Sequence, residues 1–140
     1  MDPEIKREIM LDNYQNPFHK KTPSEGFIKS NGNNISCIDD INIYIKLNND
    51  NIEEAYFDGE ACAISTSSAS IMLKNIIGKK VSKVLKYLDN FEKMVNEEVY
   101  DDQDFGEAIV YDEIYKQESR KNCATLPYAA LRKAIEKANK

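Results

Sequence analysis

The chain has 140 residues, with 24 acidic side chains against 19 basic ones and a formal net charge of −5. That balance argues against non-specific nucleic-acid binding, which needs a basic footprint. Three cysteines cannot all pair within one chain, and a single histidine disfavours His-rich zinc sites.

Hydrophobic residues make up 41% of the chain and charged residues 31%, a globular composition large enough for one core without covalent staples. One domain over residues 1–140 is expected. No apolar run approaches the ~18–20 residues that span a bilayer, and the N-terminus lacks a secretory apolar core. A cytoplasmic protein without membrane or nucleic-acid partners follows as the expectation.

In chain order, residues 3–14 read as a short helix, with Asp2 as N-cap, Pro3 in the first helical position and Ile5 and Ile9 on one face. Residues 16–32 hold Pro17, Pro23, Gly26 and Gly32 and read as loop, with a short edge strand near Phe27 and Ile28. Residues 41–47 alternate apolar and polar, the period of a half-buried strand. Asn48 to Asn51 is a turn cluster, and residues 52–58 return as the second arm of a hairpin ended by Gly59. A helix is expected from about Cys62 to Ile77, capped by Gly78, and a second over 81–88. Residues 90–115 read as acidic and irregular, a short helix plus a loop. The last helix is expected from about Ala124 to Ala138, with Ala124, Tyr128, Leu131, Ile135 and Ala138 on its apolar face and Pro127 in its first turn. The fold class is α+β: a small antiparallel sheet of about three strands with helices packed on one face.

Each cysteine falls at a boundary in this layout. Cys37 precedes the first hairpin strand, Cys62 stands where the hairpin turns into a helix, and Cys123 precedes the last helix. Small buried hydrophobes are the commonest fate of such residues. A helix N-terminus, however, stabilises a thiolate, the form that attacks and that binds metal. Three thiolates with Asp39, or with His19 as the other candidate, supply the four donors of a tetrahedral zinc or cluster iron. The separations of 25 and 61 residues are unlike the paired cysteines of a zinc finger, so spacing alone is a weak metal signal.

Three motifs resemble the NifU N-terminal/IscU/SufU family of iron–sulfur cluster assembly proteins. Cys37-Ile38-Asp39 before the alternating strand resembles the family's Cys-Gly-Asp. The stretch from Phe57 through Gly59, Cys62, Ile64 and Ser65 to Met72 resembles its Gly-x-Gly-Cys-x-Ile-Ser segment and following helix. Residues 120–126, Arg-Lys-Asn-Cys-Ala-Thr-Leu, resemble its C-terminal cysteine motif, and Tyr14-Gln15-Asn16-Pro17 its Tyr-x-x-Pro. The SufU branch fits best: Asn122 stands where IscU-type members carry His, and residues 92–116 resemble the SufU insertion. Ile38 departs from the family glycine, which questions any left-handed backbone there, and Ala61 replaces a second glycine.

The resemblance implies an IscU/SufU-like fold and a metal site of Cys37, Asp39, Cys62 and Cys123. It implies one zinc per chain, or iron and a [2Fe–2S] cluster at the same site. It further implies persulfide sulfur received from a PLP-dependent, SufS-like cysteine desulfurase, with apo iron–sulfur proteins or cluster carriers downstream. Cys37, beside a Gly/Asn-rich loop, is the expected sulfur acceptor and Cys123 its rival; Arg120 is the expected partner-binding residue. The protein is then a scaffold or sulfur shuttle rather than an enzyme by itself. Two other readings stand beside this one: a structural zinc module that binds protein partners, and a Cys–His hydrolase using His19. The acidic residues Glu97, Glu98, Asp101, Asp102 and Asp104 read as a solvated face or a docking patch.

Overall fold

The computed structural model describes residues 1–34 and 37–139. Helix α1 spans Pro3–Gln15, with Asp2 accepting the Glu4 N–H at 2.7 Å as its cap. Strands β1 (Ile28–Asn33), β2 (Asp40–Asn48) and β3 (Asn51–Glu60) form one antiparallel sheet in the order β1-β2-β3. Helices α2 (Ala63–Ile76), α3 (Val81–Val95) and α4 (Glu118–Ala138) follow, with short 3₁₀ turns at Gly106–Tyr111 and Ile114–Lys116 before α4.

The β2–β3 hairpin turns through Asn49 and Asp50, both in left-handed backbone (φ 52° and 63°), which these short polar side chains tolerate. Ile41, Ile43 and Ile45 of β2 and Ala55 and Phe57 of β3 point into the core. Helix α4 packs on β1 and β2, α2 packs on α4, and α1 packs on α2. The largest fully buried side chains are Tyr111, Tyr128, Phe57, Phe91 and Phe105. Phe91 and Tyr128 stack with centroids 3.7 Å apart, and Tyr87 and Tyr128 share a buried hydroxyl hydrogen bond.

Four elements differ from the sequence expectation, each for a physical reason. Strand β1 extends to Asn33 because its inward residues are small: a Cβ on Gly32 would lie 3.3 Å from both Leu126 and Ala130 of α4. No apolar alternation advertises such a strand. Helix α3 continues to Val95, since Phe91, Met94 and Val95 prolong the buried stripe of Val84, Tyr87 and Leu88 through the polar residues between them. Strand β3 continues through Gly59 (φ 110°), where a Cβ would sit 2.0 Å from the Asp40 carbonyl; the glycine permits close pairing there. Helix α4 begins at Glu118, so Cys123 lies inside it and Pro127 is in its interior, not its first turn. Of the expected apolar face of α4, Ala124, Tyr128, Leu131 and Ile135 are buried and Ala138, at the helix end, is only half-buried. Among the described residues, no helix is long and apolar enough to cross a membrane.

Candidate metal centre

Three separate elements bring four donor residues to one end of the sheet. The segment before β2 carries Cys37 and Asp39, and Asn34 closes it: the Asn34 N–H donates to the Asp39 carbonyl, and the Cys37 N–H to the Asn34 carbonyl, each at 3.0 Å. Cys37 and Ile38 are exposed, Ile38 at 69%, whereas Asp39 is 2% exposed. Ile35 and Ser36, part of the Gly/Asn-rich loop beside Cys37, lie outside the described residues. Left-handed backbone among the described non-glycine residues falls at His19, Asn49, Asp50, Glu97 and Asp104 and not at Ile38.

Cys62 is the N-cap of α2, its Sγ accepting the Ser65 N–H at 3.5 Å. This follows the serine-like capping geometry in which a side chain satisfies an orphan N–H of the first turn. Cys123 enters from the second turn of α4 and is 7% exposed. The sequence expectation that it opens the last helix is therefore corrected, and helix-terminus stabilisation applies to Cys62, not Cys123.

The donor atoms of Cys37, Asp39, Cys62 and Cys123 all lie within 4.8 Å of one another. The three cysteines line an open cavity of ≈ 680 Å³ together with Asn34, Ile64, Asn122 and Arg120, and Asp39 lies buried behind them. A zinc–thiolate tetrahedron spans about 3.8 Å between sulfurs, given bonds near 2.3 Å. The group is thus close to coordination distance. Soft thiolates with one hard carboxylate suit zinc or an iron of a cluster.

Asp39 is held as a carboxylate. Burial pushes its pKa up, but the Cys62 N–H (2.8 Å to Oδ1), the Ser65 hydroxyl (2.7 Å to Oδ2) and the neighbouring thiols together hold it below its usual value. Cys123 is pushed strongly the other way, by burial first and then by the facing Asp39 and Cys62. Without a cation the Cys123 thiol keeps its proton, and a bound metal inverts this by favouring thiolate.

His19 is elsewhere. Its ring stacks on Phe18 and Tyr56 with centroids 3.9 and 5.1 Å away, and Nδ1 lies 3.0 Å from the Ala55 carbonyl. Its own carbonyl accepts the Phe57 N–H. It pins the N-terminal segment along β3, is absent from the donor group, and gives neither a fourth ligand nor a base beside a cysteine. Arg120 is exposed on the first turn of α4. It borders both the cysteine cavity and a neighbouring groove of ≈ 450 Å³ along α1, where Leu11 and Tyr14 are exposed. The acidic residues 97–104 singled out above are all exposed.

Two residues that sequence reasoning left without a role contact the donors. Ser65 reaches Asp39 and the Cys123 carbonyl, and Asn34 Nδ2 lies 4.0 Å from Cys123 Sγ. The available signal was the serine three places after Cys62, where a first-turn side chain faces the cap.

A family model described as the NifU-like N-terminal domain matches residues 5–139. The zinc-dependent sulfurtransferase SufU of Bacillus subtilis strain 168 is 36% identical over 134 residues, covering 95% of this chain and 90% of that protein. The iron–sulfur cluster assembly scaffold protein IscU of Thermotoga maritima is 29% identical over 133 residues, covering 95% and 94%. The crystal structure of the Fervidobacterium islandicum AW-1 SufU, assigned as a SUF-system scaffold, superposes with a TM-score of 0.85 at 27% identity, covering 89% of this chain and 92% of that one.

Proposed function

Because the chain belongs to the NifU-like N-terminal domain family, we propose that it accepts persulfide sulfur from a cysteine desulfurase at a zinc site formed by Cys37, Asp39, Cys62 and Cys123, for iron–sulfur cluster assembly. The single observation that carries this reading is the convergence of those four donors within 4.8 Å. Zinc is preferred over a resident cluster because the SufU relative, named for zinc-dependent sulfur transfer, is the more similar of the two. Asn122 also stands before Cys123 where IscU-type members carry histidine.

A bound zinc supplies one thing here: it keeps the thiols deprotonated and sheltered from oxidation. The chain's own residues do the rest. Cys37 is the exposed thiol of the three, whereas Cys62 caps a helix and Cys123 is buried. Its thiolate attacks the terminal sulfur of the donor's persulfide; the new S–S bond forms at Cys37 as the old one breaks. The desulfurase cysteine departs as thiolate, so no net oxidant or reductant is consumed. Asp39 is oriented toward the thiols through both oxygens, by the Cys62 N–H and the Ser65 hydroxyl. Arg120, on the cavity rim, offers a cation to the incoming partner.

Elemental analysis of the purified protein, beside the Asp39→Ala variant, tests the metal. About one zinc per chain is expected in the wild type, and iron in its place favours a [2Fe–2S] scaffold. Anaerobic reconstitution separates the two readings: zinc that blocks iron loading marks a shuttle, and a cluster that forms and transfers to an apo-protein marks a scaffold. A structural zinc module predicts unfolding on chelation and no sulfur uptake. The apolar core from Ile41 to Ile135 includes none of the four donors, which supports the sulfur-accepting role over a purely structural one.

A further inference from the structure

Ser65 is fully buried, and its Oγ faces two acceptors at once: Asp39 Oδ2 at 2.7 Å and the Cys123 carbonyl at 3.0 Å. A hydroxyl has one hydrogen, and neither a carboxylate nor a carbonyl can donate one back. The Cys123 carbonyl needs this donor for a reason visible in the chain. In a helix it would accept the N–H of the residue four places on. That residue is Pro127, inside α4, which has no N–H. The missing helical bond leaves a carbonyl facing α2, and Ser65 is the residue that meets it. Cys62 Sγ lies 3.7 Å from the same hydroxyl.

We infer that Ser65 is the positioning residue for Asp39, and that Pro127 makes the carbonyl of Cys123 depend on the same hydroxyl, so that one hydrogen couples the carboxylate to the helix carrying the third thiol. This rests on the metal-site reading given above. When Asp39 turns toward another partner, the hydrogen passes to the Cys123 carbonyl, and neither buried acceptor is left with an opposing acceptor alone. Ser65 thereby lets Asp39 exchange without leaving an orphaned polar group beside it, a situation that would otherwise oppose the movement. Hydrogen-bond partners of metal ligands act in this way on affinity, with losses of about 10–100-fold when removed.

The test is a cycle of zinc titrations against a chromophoric chelator, with urea unfolding of each metal-free protein measured alongside. Ser65→Ala is expected to weaken zinc binding about tenfold or more in the wild-type background. In the Asp39→Ala background the same change is expected to alter affinity by less than about twofold, because Ser65 acts through Asp39. Equal losses in both backgrounds would overturn the positioning role. In the metal-free proteins, Ser65→Ala is expected to lower the urea midpoint less when Pro127→Ala is present, since residue 127 then supplies the Cys123 carbonyl with its own N–H. An unchanged shift overturns the Pro127 link. Should Ser65→Ala alone not fold, the Ser65→Ala/Pro127→Ala double variant carries the titration, and zinc affinity equal to that of Pro127→Ala overturns the inference. Wild-type protein that binds no zinc at all overturns the metal reading itself, whatever the variants show.

Discussion

The two halves of helix α2 are buried alike but built from opposite chemistry. From Ser65 to Ser70 its buried residues are Ser65, Thr66, Ser67, Ser68, Ala69 and Ser70; from Ile71 they are Ile71, Met72, Leu73 and Ile76. Every hydroxyl in the first half has a partner: Ser67 meets the Tyr111 hydroxyl at 2.7 Å, Ser68 donates to the Ala124 carbonyl at 2.6 Å, and Ser70 donates to Asn13 at 2.7 Å. Among the described residues, no buried side-chain nitrogen or oxygen lacks a partner. Burying hydroxyls adds little net stability but fixes distances, because an unmade bond is costly while a made one gains about 0.5–1.5 kcal/mol. Burying aliphatic side chains does the reverse: it stabilises strongly and tolerates displacement. The serine half touches the donor group through Ser65, and Ser68 holds the carbonyl next to Cys123, so positional accuracy begins where the chemistry is, and the stabilising burial is displaced along the same helix.

The sharpest test of this division removes the exposed thiol. Cys37→Ala is expected to abolish stimulation of the desulfurase in a sulfide-release assay while leaving the circular dichroism spectrum and the urea midpoint near wild type, since Cys37 is exposed and lies outside the apolar core. Full stimulation by this variant would assign acceptance to another cysteine. The converse variant is Ile71→Ala. It should cost about 2–5 kcal/mol in chemical denaturation by leaving a cavity, yet the folded fraction should bind the same amount of zinc. Loss of zinc from that folded fraction would break the separation between the two halves.

A smaller effect is expected from pH. Asp39 and Asp58 both have pKa values held below the ordinary carboxylate range. For Asp58, burial opposes the shift, and hydrogen bonds from Thr22 (2.5 Å), Asn42 (2.8 Å) and Tyr44 (2.8 Å) outweigh it. A carboxylate with a depressed folded pKa contributes stability above its unfolded pKa of about 3.9, and that stability is lost as pH falls through the folded value. Metal-free protein should therefore lose stability below about pH 4. Asp58→Asn should remove part of that slope without touching zinc affinity. At the other extreme, Cys123 has a raised pKa, so its contribution is complete below the unfolded thiol value of about 8.5 and is lost as pH rises beyond it. Zinc-loaded protein should lack this alkaline loss, because the thiol has already given up its proton. Urea midpoints from pH 3 to 10, with and without zinc, check both limbs.

The smallest effect belongs to His19. Replacing it with Ala should lower stability by about 0.5–1.5 kcal/mol through the lost ring stacking and leave sulfur acceptance at the wild-type level. A loss of sulfur acceptance in a folded His19→Ala protein would return the histidine to the site.

How much was legible in the chain follows from the range of each interaction. The hairpin was readable because alternation at 41–47 and the Asn-rich turn are local signals, and α1 was readable from Asp2 and Pro3. The end of α3 and the start of α4 were misplaced because polar residues dominate there and only their few buried neighbours carry the helical period. Helix α4 in particular starts at Glu118 with no side-chain cap to mark it. Strand β1 was reduced to its first residues because Ser30 and Gly32 face α4 as small groups, a fit that exists only when α4 is present. Cys37, Asp39, Cys62 and Cys123 were legible as donors from their motifs, while Ser65 and Pro127 were not, since their roles require α2 and α4 to lie side by side.

By itself, then, the sequence determined the donor types, the hairpin that carries two of them toward the third, and a composition able to bury a core without metal. Periodicity, capping and side-chain chemistry act over a few residues and can be read there. The tertiary structure alone decided that donors 25 and 61 residues apart meet within 4.8 Å. It also decided that the carbonyl freed by Pro127 on α4 meets the single hydroxyl that Ser65 already offers to Asp39. Those are contacts between packed elements, and their geometry is set by how α2 and α4 lie against each other and not by any spacing along the chain.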